Sequence, residues 1–503
     1  MSNLPRVRVP AVMGEVVNQT PVKPEPEYHS ASNARRIIGY GRSSSGPNKV
    51  LSGSIRTLIN RSRHAYRNSP LVKKATDSNV TNEIGTGIIT RFQSKDTEFN
   101  EAARKAHDVW VNQCSPDGSL GHYGNQRLIC LAREMSGDCF VRRRIRPLSS
   151  GLLVPMQYQI LEAEYVPHEL NEIRPNGNRI VQGIELNRYG RRVAYWMHTS
   201  HPGEVEGGIQ PKLVRIPAKD VIHSYRPTRP GQLRGEPRSS GAILKVKTFE
   251  QYDDFELQRK ESKSGYTGML TRNDYEDSDY AFDPFTGKPL YEVEGELEVG
   301  LLPGTIMSGL PGESLTLFEG DNTGSGYKDF MREQKLSIAA TQNIPFELMT
   351  GDWASINDRI YRALINEYRR GVMADQDHLT IFQVERVIKD WFIQSAVFAG
   401  VLSPVNYITN IHDYHYAEFR PHAWKHIHPE QDVKAKLLEI EGNLNSTDAV
   451  VAESGHDAEE IDRQNVIGEL RRKTMREAAG LPSKEEKEKR KPSDEPEELD
   501  ENE

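Results

Sequence analysis

The stretch Arg226-Pro-Thr-Arg-Pro-Gly-Gln-Leu-Arg-Gly235 separates two regions of different periodicity. Before it, residues 155 to 225 hold Val-, Ile- and Tyr-rich runs divided by the turn dipeptides Asn176-Gly177 and Tyr189-Gly190, a pattern that predicts antiparallel β structure. After it, Ala242, Leu244, Val246, Phe249, Tyr252, Phe255 and Leu257 recur among charged residues, so helix is expected to resume.

Toward the N-terminus, Cys139 to Arg146 alternates Val141 and Ile145 with Arg142, Arg144 and Arg146, as a strand does. Helices are expected at Asn125 to Met135 and Glu98 to Gln113, and two more before them, carrying Leu51, Ile55, Leu58 and Ile59 and then Leu71, Val72, Ala75 and Val80. Five prolines between Pro5 and Pro26 mark residues 1–34 as a flexible arm. Toward the C-terminus, residues 273 to 326 are rich in Gly, Pro, Asp and Glu, which reads as loops and small strands. Tyr327, Phe330, Met331 and Ile338 predict a helix that ends before Asn343 to Pro345. A second begins near Ser355; unbroken to Gly400 it would extend about 67 Å, and Gly371 is the one candidate for an interruption. Helices at Glu430 to Glu441 and His456 to Ala479 precede a charged tail.

At about 150 residues per domain, 503 residues suggest about three domains, and 36% hydrophobic with 27% charged is ordinary globular composition. Collagenous, disulfide-caged and wholly disordered classes are excluded. Cys114, Cys130 and Cys139 are too few for a disulfide framework or a four-thiolate zinc site. The N-terminus has no apolar run of signal-peptide length. Trp391 to Leu402 is about half the length that a membrane helix needs, so no membrane partner is expected.

The net charge of −7 is unevenly spread. From Tyr28 to Thr76 there are ten Lys or Arg and no acid, whereas Asp494 to Glu503 holds seven acids and no base. Arg56, Arg63, Arg67 and Lys74 recur at helical spacing, a ridge that could track phosphates or meet an acidic protein surface. Only Tyr40 and Tyr66 interleave with it, which disfavours single-strand stacking.

Catalytic signatures are weak. His412, Asp413, His415, His422, His426 and His428 resemble a metal cluster, yet the His422/His426 pair follows Pro421 and lacks the glutamate of a zinc protease motif. The glycines from Gly39 to Gly46 lack the preceding strand of a nucleotide loop, and Pro289 stands where Gly287-Lys288 would need Ser or Thr. Asp352, Asp358 and Glu367 could gather around Mg²⁺, but such spacings are common on solvated helix faces. No catalytic residue, metal or cofactor is assigned.

With Arg226 to Gly235 as the starting point, an ordered set of motifs resembles the lambda-type portal proteins of tailed bacteriophages over about Arg35 to Leu481. Upstream are Ser136-Gly-Asp-Cys-Phe-Val-Arg-Arg-Arg144, Gln159 to Glu164, Gly183-Ile-Glu185, Gly190 to Trp196 and His201-Pro202. Downstream are Leu302-Pro-Gly304, Leu310 to Glu313, Thr350-Gly-Asp352, Asn357-Asp-Arg359 with Arg362, and Trp424 to Asp432. The chain departs from the pattern at Asp358-Arg359, where some members carry Tyr-Ser.

The resemblance implies an α+β subunit with a mixed α/β wing, a helical stem, a small clip and a helical crown. On this chain the wing would span about 35–325, stem and clip 326–402 and crown 403–480, followed by an acidic tail, 481–503, expected to be disordered. Such subunits form a homo-oligomeric ring, usually a dodecamer, at one capsid vertex of the virion, assembled in the host bacterial cytoplasm. Double-stranded DNA passes through the ring during packaging and ejection. The partners implied are terminase, a head-tail connector protein and the major capsid or scaffolding protein. The ring itself is not an enzyme.

A conduit for a polyanion must surround it without holding it, because each neutralised phosphate adds counterion-release affinity that translocation must break. Glu333, Asp352, Glu367, Asp375, Asp377 and Glu385 are therefore expected to supply lumen-facing charge. Arg56, Arg63 and Arg67 are expected away from the lumen, against acids of the next subunit, and Asp358, Arg359 and Arg362 complete the channel or interface candidates. The rival reading is a metal-dependent nucleic-acid hydrolase built on His412 to His428.

Overall fold

The computed structural model describes residues 41, 44–204, 211–265, 268–272, 313–317, 326–354, 356–424, 429–456 and 458–479. The arm, the tail, most of 273–326, and His426 and His428 lie outside the described residues. Two units are distinguished, Met1–Gly46 and Pro47–Glu503, and every helix and strand among the described residues belongs to the second.

That unit opens with helices α1 (Pro47–Ser52), α2 (Ile55–Asn68) and α3 (Pro70–Ile84). Ser69 is extended between α2 and α3, and Pro70 takes the first helical position, where its missing N–H costs nothing. Strand β1 (Ile89–Phe92) follows, then α4 (Thr97–Trp110), whose Asp96 N-cap accepts from the Phe99 N–H, and α5 (His122–Ser136).

Strands β2 (Asp138–Ile145), β3 (Met156–Leu161), β4 (Glu172–Ile173), β5 (Arg179–Val181), β6 (Ile184–Leu186), β7 (Arg192–His198), β8 (Leu213–Pro217) and β9 (Val221–Tyr225) make two antiparallel sheets, ordered β3-β2-β9 and β4-β5-β6-β7-β8. Gly177 and Gly190 adopt positive φ at the expected turns. The alternation in β2 is not a core signal throughout: Phe140 and Val141 are fully buried, but Ile145, which passes beyond the core, is 65% exposed.

Helix α6 (Ile243–Gly265) is followed by the antiparallel pair β10 (Gly268–Arg272) and β11 (Glu313–Leu317), then by α7 (Tyr327–Thr341) and α8 (Phe346–Thr350). The polypeptide next runs helically from Asp358 to Phe398 as α9 (Asp358–Asp375), a π-helical segment (Gln376–Glu385) and α10 (Arg386–Phe398). Gly371 does not interrupt it; the departure from α geometry comes five residues later, where the wider turn sets Gln376, Leu379, Thr380, Val384 and Glu385 against the body. The chain continues through α11 (Ile411–Tyr414), β12 (Ala417–Arg420), α12 (Pro429–Glu441), α13 (Thr447–Glu453) and α14 (Ala458–Ala478). Strand β12 pairs with β1, joining residues more than three hundred positions apart.

Two large apolar clusters meet along the long helix. Trp391, Phe392, Ile393 and Ala396 of α10 pack with Trp110, Ile129, Val141 and Met156, while Ile365, Tyr368 and Val372 of α9 pack with Val72, Ile338, Phe346 and Met349. A third cluster, including Phe140, Ile184, Tyr195 and Ile216, lies between the sheets.

Candidate functional site

Arg226 to Gly235, the segment between sheet and helix, is held by charge. Arg234 is fully buried and bonds through Nε to Asp138, also fully buried. Its Nη1 donates to the Val166 and Gln182 carbonyls at 3.1 and 3.2 Å, and its Nη2 to that of Ala163 at 3.0 Å. Asp138 also accepts from the Gly235 N–H at 2.6 Å and lies 3.0 Å from His223 Nε2. Burial alone would raise the Asp138 pKa, but Arg234 and His223 hold it well below the usual carboxylate range. Burial depresses His223 to about 4 in spite of Asp138. A Cβ on Gly235 would stand 2.0 Å from the Gly137 carbonyl oxygen, so only glycine permits this approach.

The other end of the segment is tied to the long helix. Arg226 bridges Asp375 at 2.6 Å and Glu134 at 3.2 Å, and Arg238 bridges Glu134 at 2.9 Å and Asp375 at 3.4 Å. Burial would raise Glu134, but Arg238, Arg226 and Arg133 bring it down to about 2. For Asp375 burial prevails over the arginines and the pKa is raised. Next to them the buried Arg133 meets Glu83 at 2.6 Å, and Glu83 accepts from Thr380 Oγ1 at 2.5 Å. Gln376 donates to the Glu83 carbonyl at 2.8 Å, and Gln383 bonds both backbone groups of Tyr225 at 3.0 Å. At the end of the π segment Glu385 lies 3.1 Å from His122, whose other ring nitrogen is 2.8 Å from the Tyr158 hydroxyl. Buried ions keep their charge only when partnered, so this network fixes the long helix against α3, α5 and β9.

These contacts correct two expectations. Asp375 is consumed by Arg226 and Arg238, and Glu385 is 1% exposed against His122, so neither supplies free charge to a surface. Glu333, Asp352, Glu367 and Asp377 are exposed. Glu367 pairs with Arg370 at 3.0 Å. Asp358 pairs with Arg362 at 2.5 Å in the first turn of α9, whose N-cap Asn357 accepts from the Ile360 N–H, and Arg359 is exposed beside them. The Asn357 to Arg362 motif is thus a helix start. Thr350-Gly-Asp352 is a helix stop: Gly351 is left-handed, and Asp352 caps the loop by accepting from the Ala354 N–H.

The basic ridge is also partly engaged within the chain. Arg63 is clasped by Glu164 at 2.6 and 3.0 Å, by Glu162 at 3.4 Å and by Ser136 Oγ, so it is not a free phosphate contact. Arg56 reaches Glu169 at 3.4 Å in an exposed pair, whereas Arg67 is exposed. Glu162, Glu164 and His201 are the acid and imidazole cluster compact enough for a metal among the described residues, and Arg63 already bridges its two carboxylates.

Within the expected histidine cluster, His415 is 2.7 Å from both Asp390 and the Tyr407 hydroxyl, His412 is exposed and His422 packs on Trp424. The described members do not converge on one point. No helix of the described residues is long and apolar enough to cross a membrane.

The residues that sequence reasoning misses are Glu83, Arg133, Glu134 and Asp138. Their signal is local: Arg133-Glu134 and Asp138 flank Gly137 in α5 and β2, where the hydrophobic pattern predicts burial.

The chain is 23% identical over 453 residues to the probable portal protein of Halomonas phage phiHAP-1, covering 84% of this chain and 82% of the relative. It is 24% identical over 377 residues to portal protein B of Escherichia phage lambda, covering 69% and 67%. A chain from the neck of an empty GTA particle superimposes with a TM-score of 0.48 and 13% identity, over 80% of this chain and 93% of that one. Residues 33–376, which contain the whole Arg226 to Gly235 latch and the ion network up to Gln376, match the family of phage portal proteins of the lambda type, and the chain belongs to that family.

Proposed function

We propose that this protein forms a closed ring of identical subunits, twelve in number, at a capsid vertex, and that double-stranded DNA passes through it during packaging and ejection. The observation that carries the reading is the family match over residues 33–376. Portal proteins are structural rather than enzymatic, and the chemistry of packaging belongs to a motor. Terminase, a head-tail connector protein and the major capsid or scaffolding protein are the proposed partners, with assembly in the host cytoplasm before incorporation in the virion.

Within the subunit, residues 35–325 form the wing, 326–402 the stem and clip, anchored to the wing through α10, and 403–480 the crown. Glu333, Asp352, Glu367 and Asp377 line the bore, together with the Asp358, Arg359 and Arg362 turn. Support comes from exposure: Glu333, Asp352, Glu367 and Asp377 stand exposed on α7, the α8–α9 loop and the long helix, while Arg56 and Arg63 are tied to glutamates of their own chain. An acidic lining repels phosphates at every step and so avoids the counterion release that would stall transit.

Native mass measurement of the full chain tests the assembly. A subunit of 57.0 kDa predicts a closed species of about 680 kDa. A lone 57.0 kDa molecule that cleaves nucleic acid when given a divalent metal would overturn the proposal.

A further inference from the structure

The C-terminal helices leave apolar faces uncovered. On α12, Val433 and Leu437, one turn apart, are 55% and 53% exposed. On α14, Val466, Ile467 and Leu470 share a face and are 57%, 57% and 60% exposed. The 481–503 tail holds Leu481 and Leu499 as its large apolar side chains.

Charge selects the occupant. Lys434 and Lys436 of α12 are paired one turn back to Glu430 and Asp432, so Glu439 and Glu441 give α12 an acidic C-terminal end. Carboxylates there oppose the helix dipole and cost free energy unless a cation meets them. Glu439 receives a bond from the Asn445 amide at 3.3 Å, which supplies no charge. Helix α14 is the complement: Arg471, Arg472, Lys473 and Arg476 crowd its last turns, while Arg91 pairs with Glu459 and Arg463 with Glu460 in its first turns. In the parallel packing that a ring of co-aligned helices gives, α12 on α12 would bring acidic end to acidic end, and α14 on α14 basic end to basic end.

We propose that α12 of one subunit docks on α14 of the next, with Leu437 against Leu470 and the Glu439/Glu441 end against Lys473 and Arg476. The contact is heterologous: each subunit presents two different unused faces, one for each neighbour, so the association continues until rotation closes it. This inference rests on the ring reading and names the surface that closes the ring.

The test is cross-linking of full-length chain carrying Leu437→Cys and Leu470→Cys. Cys114, Cys130 and Cys139 are buried, so the introduced thiols are the accessible ones among the described residues. A short bismaleimide is expected to give a ladder of covalent multimers on a denaturing gel. Mixing the two single variants is expected to stop at dimers. An internally linked monomer, or rings that give no ladder, would overturn the docking while leaving the ring reading standing; a wild-type chain that forms no ring would remove both.

Charge reversal provides a second readout that leaves the apolar faces intact. Glu439→Lys with Glu441→Lys should lower ring yield at least tenfold in low salt, and adding Lys473→Glu with Arg476→Glu to the same chain should restore it. Equal loss in both variants would count against the pairing.

Discussion

Arg234 is the residue whose partners hold the segment between sheet and helix in place. Its guanidinium commits three nitrogens to Asp138 and three backbone carbonyls, with no exposure to solvent. Replacing it by methionine keeps the volume but leaves Asp138 charged and buried, at a cost of about 3–5 kcal/mol. Urea unfolding should show that loss, and Asp138→Asn added to Arg234→Met should recover part of it; a loss below about 1 kcal/mol would mean that the pair is not what pins the segment. Gly235→Ala should destabilise by about 1–3 kcal/mol, because the Gly137 carbonyl in its path is backbone and cannot swing aside. The sequence marks Arg226 to Gly235 as a boundary but does not reveal Arg234 as buried. An arginine between Leu233 and Gly235 in a Pro- and Gly-rich stretch has the pattern of a surface loop cation, and its partner lies 96 residues away.

Among elements, the long helix is legible because Ile360, Leu364, Ile365, Tyr368 and Val372 repeat at helical spacing, and that periodicity survives in the structure. Its π segment is not legible. A turn widens to let Gln376, Thr380 and Glu385 meet Glu83 and His122, and those partners come from α3 and α5, far away in sequence. Gly371 stays helical because neighbouring packing outweighs a propensity deficit of about 1 kcal/mol. Helix α13 leaves little trace in the sequence, being only seven residues long, although its Ser446 cap accepts from the Ala449 N–H. The candidate acids divide for the same reason as the π segment: exposure of Glu367 and burial of Glu385 depend on which face meets the body. Thr380→Val, which removes a donor to buried Glu83 at nearly constant shape, should cost about 1–3 kcal/mol in thermal or urea unfolding. Glu367→Gln, in an exposed pair, should change stability by less than about 0.5 kcal/mol; equal effects would contradict the assignment of the network to the inner face.

For the whole molecule, acid sensitivity follows from groups buried in one charge state. Burial lowers His107 and His168 to about 3 and His223 to about 4, all from an ordinary 6.5, so the fold keeps them neutral. The unfolded chain binds these protons first, and stability falls as pH drops below about 6.5. Glu134, held at about 2 against an ordinary 4.5, adds its loss as pH falls through 4.5 toward 2. Asp375, whose pKa is raised, acts in the opposite direction and relieves part of the fall. Denaturation midpoints should therefore be level above about pH 6.5 and decline steadily below it; a midpoint unchanged from pH 7 to pH 4 would contradict this. Assembly should also weaken with salt, since exposed charges are screened beyond about 10 Å at 0.1 M.

Composition and the ordered motifs lead to the family, but composition does not distinguish charges that face outward from those neutralised within the chain.

The conduit account is tested most directly by an electron cryo-microscopy map of the assembled full-length ring without DNA. Asp352, Glu367 and Asp377 should project toward the central hole, with Arg61, Arg67 and Lys73 away from it. A bore lined instead by the α2 and α3 cations would contradict the account, because such a ring would grip the DNA it is meant to pass.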